Sequence, residues 1–90
     1  MNNVEERLKE LLLRHFKVFD LAKDVIMYVD FVEDLEMDSL TFVSLIVEIE
    51  DEFEIVIPDE ILDMDKFKNY ESILKIISIL KRDKQNGQVK

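Results

Sequence analysis

The sequence predicts an all-α fold: a four-helix bundle of three main helices and one short one, with a long packed loop between the first two. Three observations predict it. Apolar residues recur at helical spacing in three separate stretches. One glycine and one proline leave too little turn punctuation for a β-sandwich or barrel. Apolar residues make up 48% of the chain, enough for a core despite 37% charged residues, which argues against a disordered chain. Ninety residues make one small domain, near the low end of what folds alone.

The elements follow in order. Val4, Leu8, Leu11 and His15 fall at helical spacing, with Leu12 and Phe16 beside them, and predict a first helix over residues 3–16. His15 lies on the apolar stripe near the helix end, as a partly buried residue or a charge partner for that end. Residues 17–37 show no sustained helical period, yet hold Val25, Ile26, Tyr28, Val29, Phe31 and Leu35. A loop of that length in a small domain is packed down or functional, so a strap tied across the helices is expected. A short strand pair over residues 25–31 is the competing expectation, but no second strand is evident.

The second helix opens at Asp38-Ser39, either of which can accept the free amide protons of its first turn. It should run to Phe53, with Phe42, Leu45, Ile46, Ile49 and Phe53 on one face. Leu40, Val43 and Val47 form a second stripe on the other side, flanked by Ser44, Glu50 and Asp51. Acids interrupt the second stripe and not the first, so an exposed apolar strip rimmed by charge is expected, the anatomy of a docking surface. Ile55-Val56-Ile57 is an extended run before Pro58, which suits the first turn of a short helix over residues 59–64 anchored by Ile61, Leu62 and Met64. Asn69 is placed to cap the last helix, whose apolar face is Tyr70, Ile73, Leu74, Ile77 and Leu80. Residues 83–90 read as a flexible C-terminal tail after a domain over 1–82.

Composition excludes several kinds of chemistry. Cysteine is absent, so no disulfide, thiolate metal site or cysteine nucleophile is available, and a single histidine gives a catalytic triad little to draw on. No apolar run approaches a membrane span and the start of the chain is polar, so a cytoplasmic location is expected. Twenty-one acids against twelve bases give a net charge of −9, which repels phosphate backbones and makes nucleic acid a poor partner. The distribution is sharper than the total: residues 24–65 hold fifteen acids and no lysine or arginine. The bland meaning is a solvated surface; the sharper one is an anionic face for a basic partner.

Of the four serines, only Ser39 sits at a predicted helix N-terminus directly after a long loop. Free amides and the positive end of the helix dipole would stabilise a phosphate attached there. A plain helix cap is the common alternative, and spacing alone does not choose between them. The run Phe31-Val32-Glu33-Asp34-Leu35-Glu36-Met37-Asp38-Ser39-Leu40, with Val43, Leu45, Glu50 and Phe53 after it and Ile57-Pro58-Asp59-Glu60 beyond, resembles the acyl carrier protein signature. The resemblance covers the chain from the first helix to Leu80, and its defining Asp-Ser-Leu stands as Asp38-Ser39-Leu40.

That resemblance implies that Ser39, flanked by Asp38 and Leu40, receives 4′-phosphopantetheine from coenzyme A through a separate phosphopantetheinyl transferase. The arm's thiol then holds acyl groups as thioesters, so a cysteine-free chain need catalyse nothing itself. It also implies that Leu40, Val43, Ser44, Val47, Glu50 and Asp51 lie on the face read by partners. Those partners are the transferase, an acyl-loading ligase or acyltransferase, and synthase enzymes with basic patches, each meeting a monomeric carrier. The sequence departs from the family pattern at Glu36, where glycine is usual, and at Thr41 and Ser44, where fatty-acid carriers commonly have acids. The departures leave two pathways open, fatty-acid synthesis and a specialised biosynthetic route.

Two rivals are set against this. One is an acidic helical interaction module in which Ser39 is only a cap. The other is a calcium protein using Asp30, Glu33, Asp34, Glu36 and Asp38, although the ligand period and central glycine of an EF-hand loop are missing.

Overall fold

Asn3 begins the first helix, α1 (Val4–His15), by accepting the Glu6 amide on Oδ1 at 2.7 Å. The computed structural model describes residues 3–18 and 20–87, with side chains through residue 82. α2 (Ser39–Phe53) and α3 (Tyr70–Gly87) complete the main helices, and no strand occurs among the described residues. Asn69 caps α3 as expected, accepting the Ser72 amide at 2.9 Å. The predicted faces meet in one core. Leu8, Leu11 and Leu12 of α1 pack with Phe42, Leu45, Ile46, Ile49 and Phe53 of α2 and with Tyr70, Ile73 and Ile77 of α3. Polar stitches close the helix ends. Arg7 bonds the Glu52 carboxylate at 3.0 Å, and the Tyr70 hydroxyl donates to the Glu5 carbonyl at 3.3 Å.

The loop between α1 and α2 is a packed strap, but it is not irregular throughout. Residues Lys23–Tyr28 form a 3-10 helix that buries Ile26 completely. Ion pairs hold it to α1: Lys9 reaches Asp24 at 2.9 Å, while Lys23 reaches Glu6 at 2.9 Å and Glu10 at 3.1 Å. The Asp24 hydrogen bond raises the Lys9 ammonium above its ordinary range, and the Lys23 hydrogen bond lowers Glu6. Further on, Phe31 donates its amide to the Lys68 carbonyl at 2.6 Å and accepts the Met37 amide at 2.9 Å. Phe31 thereby ties the strap both to the segment before α3 and to the turn before α2. Phe19 lies outside the described residues.

Two boundaries differ from expectation. The short fourth helix is a pair of 3-10 turns, Asp59–Ile61 and Met64–Phe67. Asp63 separates them by accepting the Asp65 amide, a local bond that competes with helix continuation. The fully buried anchor is Phe67, whereas the expected anchor Leu62 is exposed. At the other end, α3 continues to Gly87, past the expected start of the tail at residue 83. Nothing between Lys81 and Gly87 breaks a helix, and Lys84 and Gln85 favour one. Residues 88–90 of that tail lie outside the described residues.

Scarce glycine has a structural consequence. Lys17, Glu36 and Glu54 all take positive φ, at 57°, 56° and 55°. Each occupies a left-handed position that glycine holds without strain. Glu36 is exposed, so Glu36→Gly removes strain without opening a cavity. It is expected to stabilise the domain by about 0.5–1 kcal/mol, read as an upward shift of roughly 2–8 °C in thermal midpoint.

Candidate functional site

The strap delivers the chain to α2 through a turn fixed by its own acids. Asp30 Oδ1 accepts the amides of Val32 and Glu33, and Asp34 Oδ2 accepts that of Asp30, at 2.8–2.9 Å. These carboxylates are occupied in turn formation. Among the described residues no group of three or more acids or histidines is arranged to hold a metal ion.

Sequence alone leaves Asp38 and Ser39 as competing caps. The structure gives the cap to Asp38, whose Oδ1 accepts the Thr41 amide at 2.9 Å. That amide bond lowers the Asp38 carboxyl below its ordinary range. Its contribution to the helix is therefore present at neutral pH and lost as pH falls through the lowered value. Ser39 is exposed, at the first position of a 15-residue helix, and no hydrogen bond ties its hydroxyl to a described residue. The first turn of α2 carries no acid of its own. A phosphoryl group on that hydroxyl would meet the positive end of the dipole and stay reachable from solvent. The residues present accommodate the group; the nearest acids on the chain are Glu36 and Asp38, both exposed.

The second stripe of α2 faces outward. Leu40 is 81% exposed, and Val43 and Val47 are each 58% exposed, while the five residues predicted for the core face are all buried. Ser44 and Asp51 are exposed alongside them. Glu50 is placed differently from the expectation that it rims the strip. It is half-buried, and its Oε2 accepts the Ile57 amide at 2.8 Å. The extended run after α2 carries a backbone donor that needs a partner, and Glu50 supplies it. With its carboxylate turned to that loop, Asp51 is left as the outward acid at this end of the strip.

Two features are more specific than the sequence predicts. An open apolar cavity of about 280 Å³ lies between the turn after Pro58 and α3, lined by Pro58, Ile61, Ile76, Ile79 and Leu80. Its walls offer almost no polar atom, so only an apolar guest would suit it. His15 is also more engaged than a helix-end residue needs to be. Its side chain is 6% exposed and lies 3.2 Å from both the Glu48 carboxylate and the Thr41 carbonyl. The spacing of α1 puts His15 on the buried stripe, but nothing local could name partners on α2.

No helix among the described residues is long and apolar enough to cross a membrane. Residues 19–77 match the family model described as a phosphopantetheine attachment site, which spans the strap, α2, both 3-10 turns and the first two turns of α3. More than half of the chain is matched, and the helical order and the exposed serine at the start of α2 agree with the match. The chain therefore belongs to the phosphopantetheine attachment family, that of the acyl carrier proteins, and its cofactor is covalently attached 4′-phosphopantetheine.

Proposed function

We propose that Ser39 is the attachment point and that the chain is a non-catalytic acyl carrier, loaded by partner enzymes. The observation that carries this is the division of labour at the start of α2. Asp38 does the capping, so the neighbouring hydroxyl is exposed and unengaged. When bound, the arm supplies the thiol on which an acyl group is held as a thioester. The chain's own residues hold that serine at a helix end and surround it with a face that partners can read. Fatty-acid synthesis and a specialised route both remain within this role. Neutral Thr41 and Ser44 reduce the charge at the start of the face and select against partners that need acids there.

The test is direct. Purified protein is incubated with coenzyme A, Mg²⁺ and a broad-specificity phosphopantetheinyl transferase, and its intact mass is taken. A gain of one phosphopantetheine is expected; no gain with several competent transferases would overturn the reading.

Partners are read to dock on Leu40, Val43 and Val47, with Ser44 and Asp51 beside them. Support comes from the exposure of all five, since a small domain leaves apolar side chains on a helix surface at little gain to itself. Val47→Asp is expected to leave the thermal midpoint within a few degrees, because the side chain is already more than half exposed. Modification by the transferase should fall roughly tenfold or more, since an apolar contact becomes a buried, unpaired charge in the complex. Loss of cooperative unfolding in this variant would show instead that the strip is part of the core.

A further inference from the structure

We propose that His15 is a positioning residue for Ser39, acting as a staple between the end of α1 and the first turn of α2. The proposal rests on Ser39 being the modified residue. It starts from donor and acceptor arithmetic. Both ring nitrogens of His15 face oxygen: Nδ1 lies 3.2 Å from Glu48 Oε2, and Nε2 lies 3.2 Å from the Thr41 carbonyl. A carbonyl only accepts, and an ionised carboxylate only accepts. Both contacts are hydrogen bonds when the ring carries two protons, or when Glu48 carries one and donates it to Nδ1. In either arrangement Nε2–H donates to Thr41. Glu48 thus fixes which nitrogen points at the helix start, and its second oxygen, Oε1, is buried with no partner among the described residues. Thr41 and Glu48 are seven residues apart, two turns of helix, so one ring grips the same face of α2 at two heights.

The place it grips matters. Thr41 lies two residues after Ser39, and its amide is already bonded to Asp38. Asp38 and His15 therefore fasten Thr41 from its amide and its carbonyl sides, one from the strap and one from α1. The other side-chain bond from α1 to α2 among the described residues, Arg7 to Glu52, is at the far end of the helix. Without His15, the turn that presents Ser39 keeps its cap and the packing of Phe42 but loses its hydrogen bond to α1.

The test uses the full chain and compares His15→Ala, Glu48→Ala and His15→Gln. The glutamine variant retains a side-chain N–H for the Thr41 carbonyl. Two readouts are taken: kcat and KM for modification, and amide hydrogen exchange. In His15→Ala, kcat is expected to fall about tenfold with KM little changed, because the docking strip is intact while the serine is less well placed. Amides of residues 42–45 should exchange faster while those of Ile73 and Ile77 do not. Glu48→Ala should show a smaller loss, and His15→Gln should recover most of the rate. Should His15→Ala fail to fold, the ordering of the other two against the parent carries the same test. Unchanged kcat, or a kcat loss with no change in exchange at 42–45, overturns the staple. Failure of the parent chain to be modified overturns the Ser39 assignment instead, and the staple is then judged by exchange alone.

Discussion

Ser39→Ala is expected to abolish the mass gain on treatment with coenzyme A and transferase while leaving helical content and thermal midpoint close to those of the parent. The two halves of that result have separate causes. Modification needs an oxygen nucleophile at this position, and alanine has none. Stability does not need it, because the first-turn amide of Thr41 is satisfied by Asp38 and the Ser39 side chain is exposed. Alanine is also a good residue within a helix, so the net change should stay within about 0.5 kcal/mol. Asp38→Ala is the matching control. It removes the cap and should cost about 1 kcal/mol, with the hydroxyl still present. If Ser39 were only a cap, the two variants would exchange roles: Ser39→Ala would be the destabilising one. Undiminished mass gain in Ser39→Ala would move the arm to Ser44, Ser72 or Ser78 and overturn the assignment.

Much of α2 was legible in the sequence, and the reason is local. Its two stripes share the helical period but lie on opposite sides and differ in where acids interrupt them, and burial follows that difference residue by residue. The caps of α2 and α3 were legible to within one residue, since a short polar side chain before an apolar period leaves few choices. Contacts between distant segments were not legible. Glu50 looks like a rim acid on a helical wheel, and only the path of the chain after Phe53 brings the Ile57 amide to it. Phe67 gave no periodic signal because it sits in a four-residue 3-10 turn. The strap's order depends on Lys9, Lys23 and Phe31 finding partners far along the chain. Ser39 was singled out by its position, but its chemistry came from the family resemblance.

The acidic block also changes meaning once it is folded. Fifteen acids and no lysine or arginine over residues 24–65 suggest one anionic face. Several of those acids are engaged inside the molecule. Asp24 pairs with Lys9, Glu52 with Arg7 and Glu48 with His15, while Asp30, Asp34, Asp38 and Glu50 accept backbone amides. Arg7 and Lys9 of α1 thus neutralise one acid each on α2 and the strap from within. A partner meets a sparser local field than fifteen unpaired acids would set up. Docking that relies on Leu40, Val43 and Val47 should accordingly depend less on salt than fifteen unpaired acids would suggest.

Phe31→Ala is expected to be the most destabilising single change in the strap, at about 3–5 kcal/mol, or a fall of roughly 15 °C or more in thermal midpoint. Phe31 is fully buried and stacks on Phe16 with centroids 5.0 Å apart. Truncation loses that packing and leaves a cavity between strap and α1. In a domain of this size the loss is a large part of the total stability. The effect should also be unevenly distributed. Phe31 holds Met37 through its carbonyl and Lys68 through its amide, so the segment that leads into Asp38 loses order before α3 does. Hydrogen exchange below the melting transition should therefore show the amide of Met37 opening first, with Ile73 and Ile77 last. Phe31→Leu, which keeps most of the volume, should recover more than half of the loss. Val25→Ala, on an exposed side chain of the same strap, should change the midpoint little. If Phe31→Ala instead melts like the parent, the strap is not part of the core, and its position cannot be what sets the start of α2.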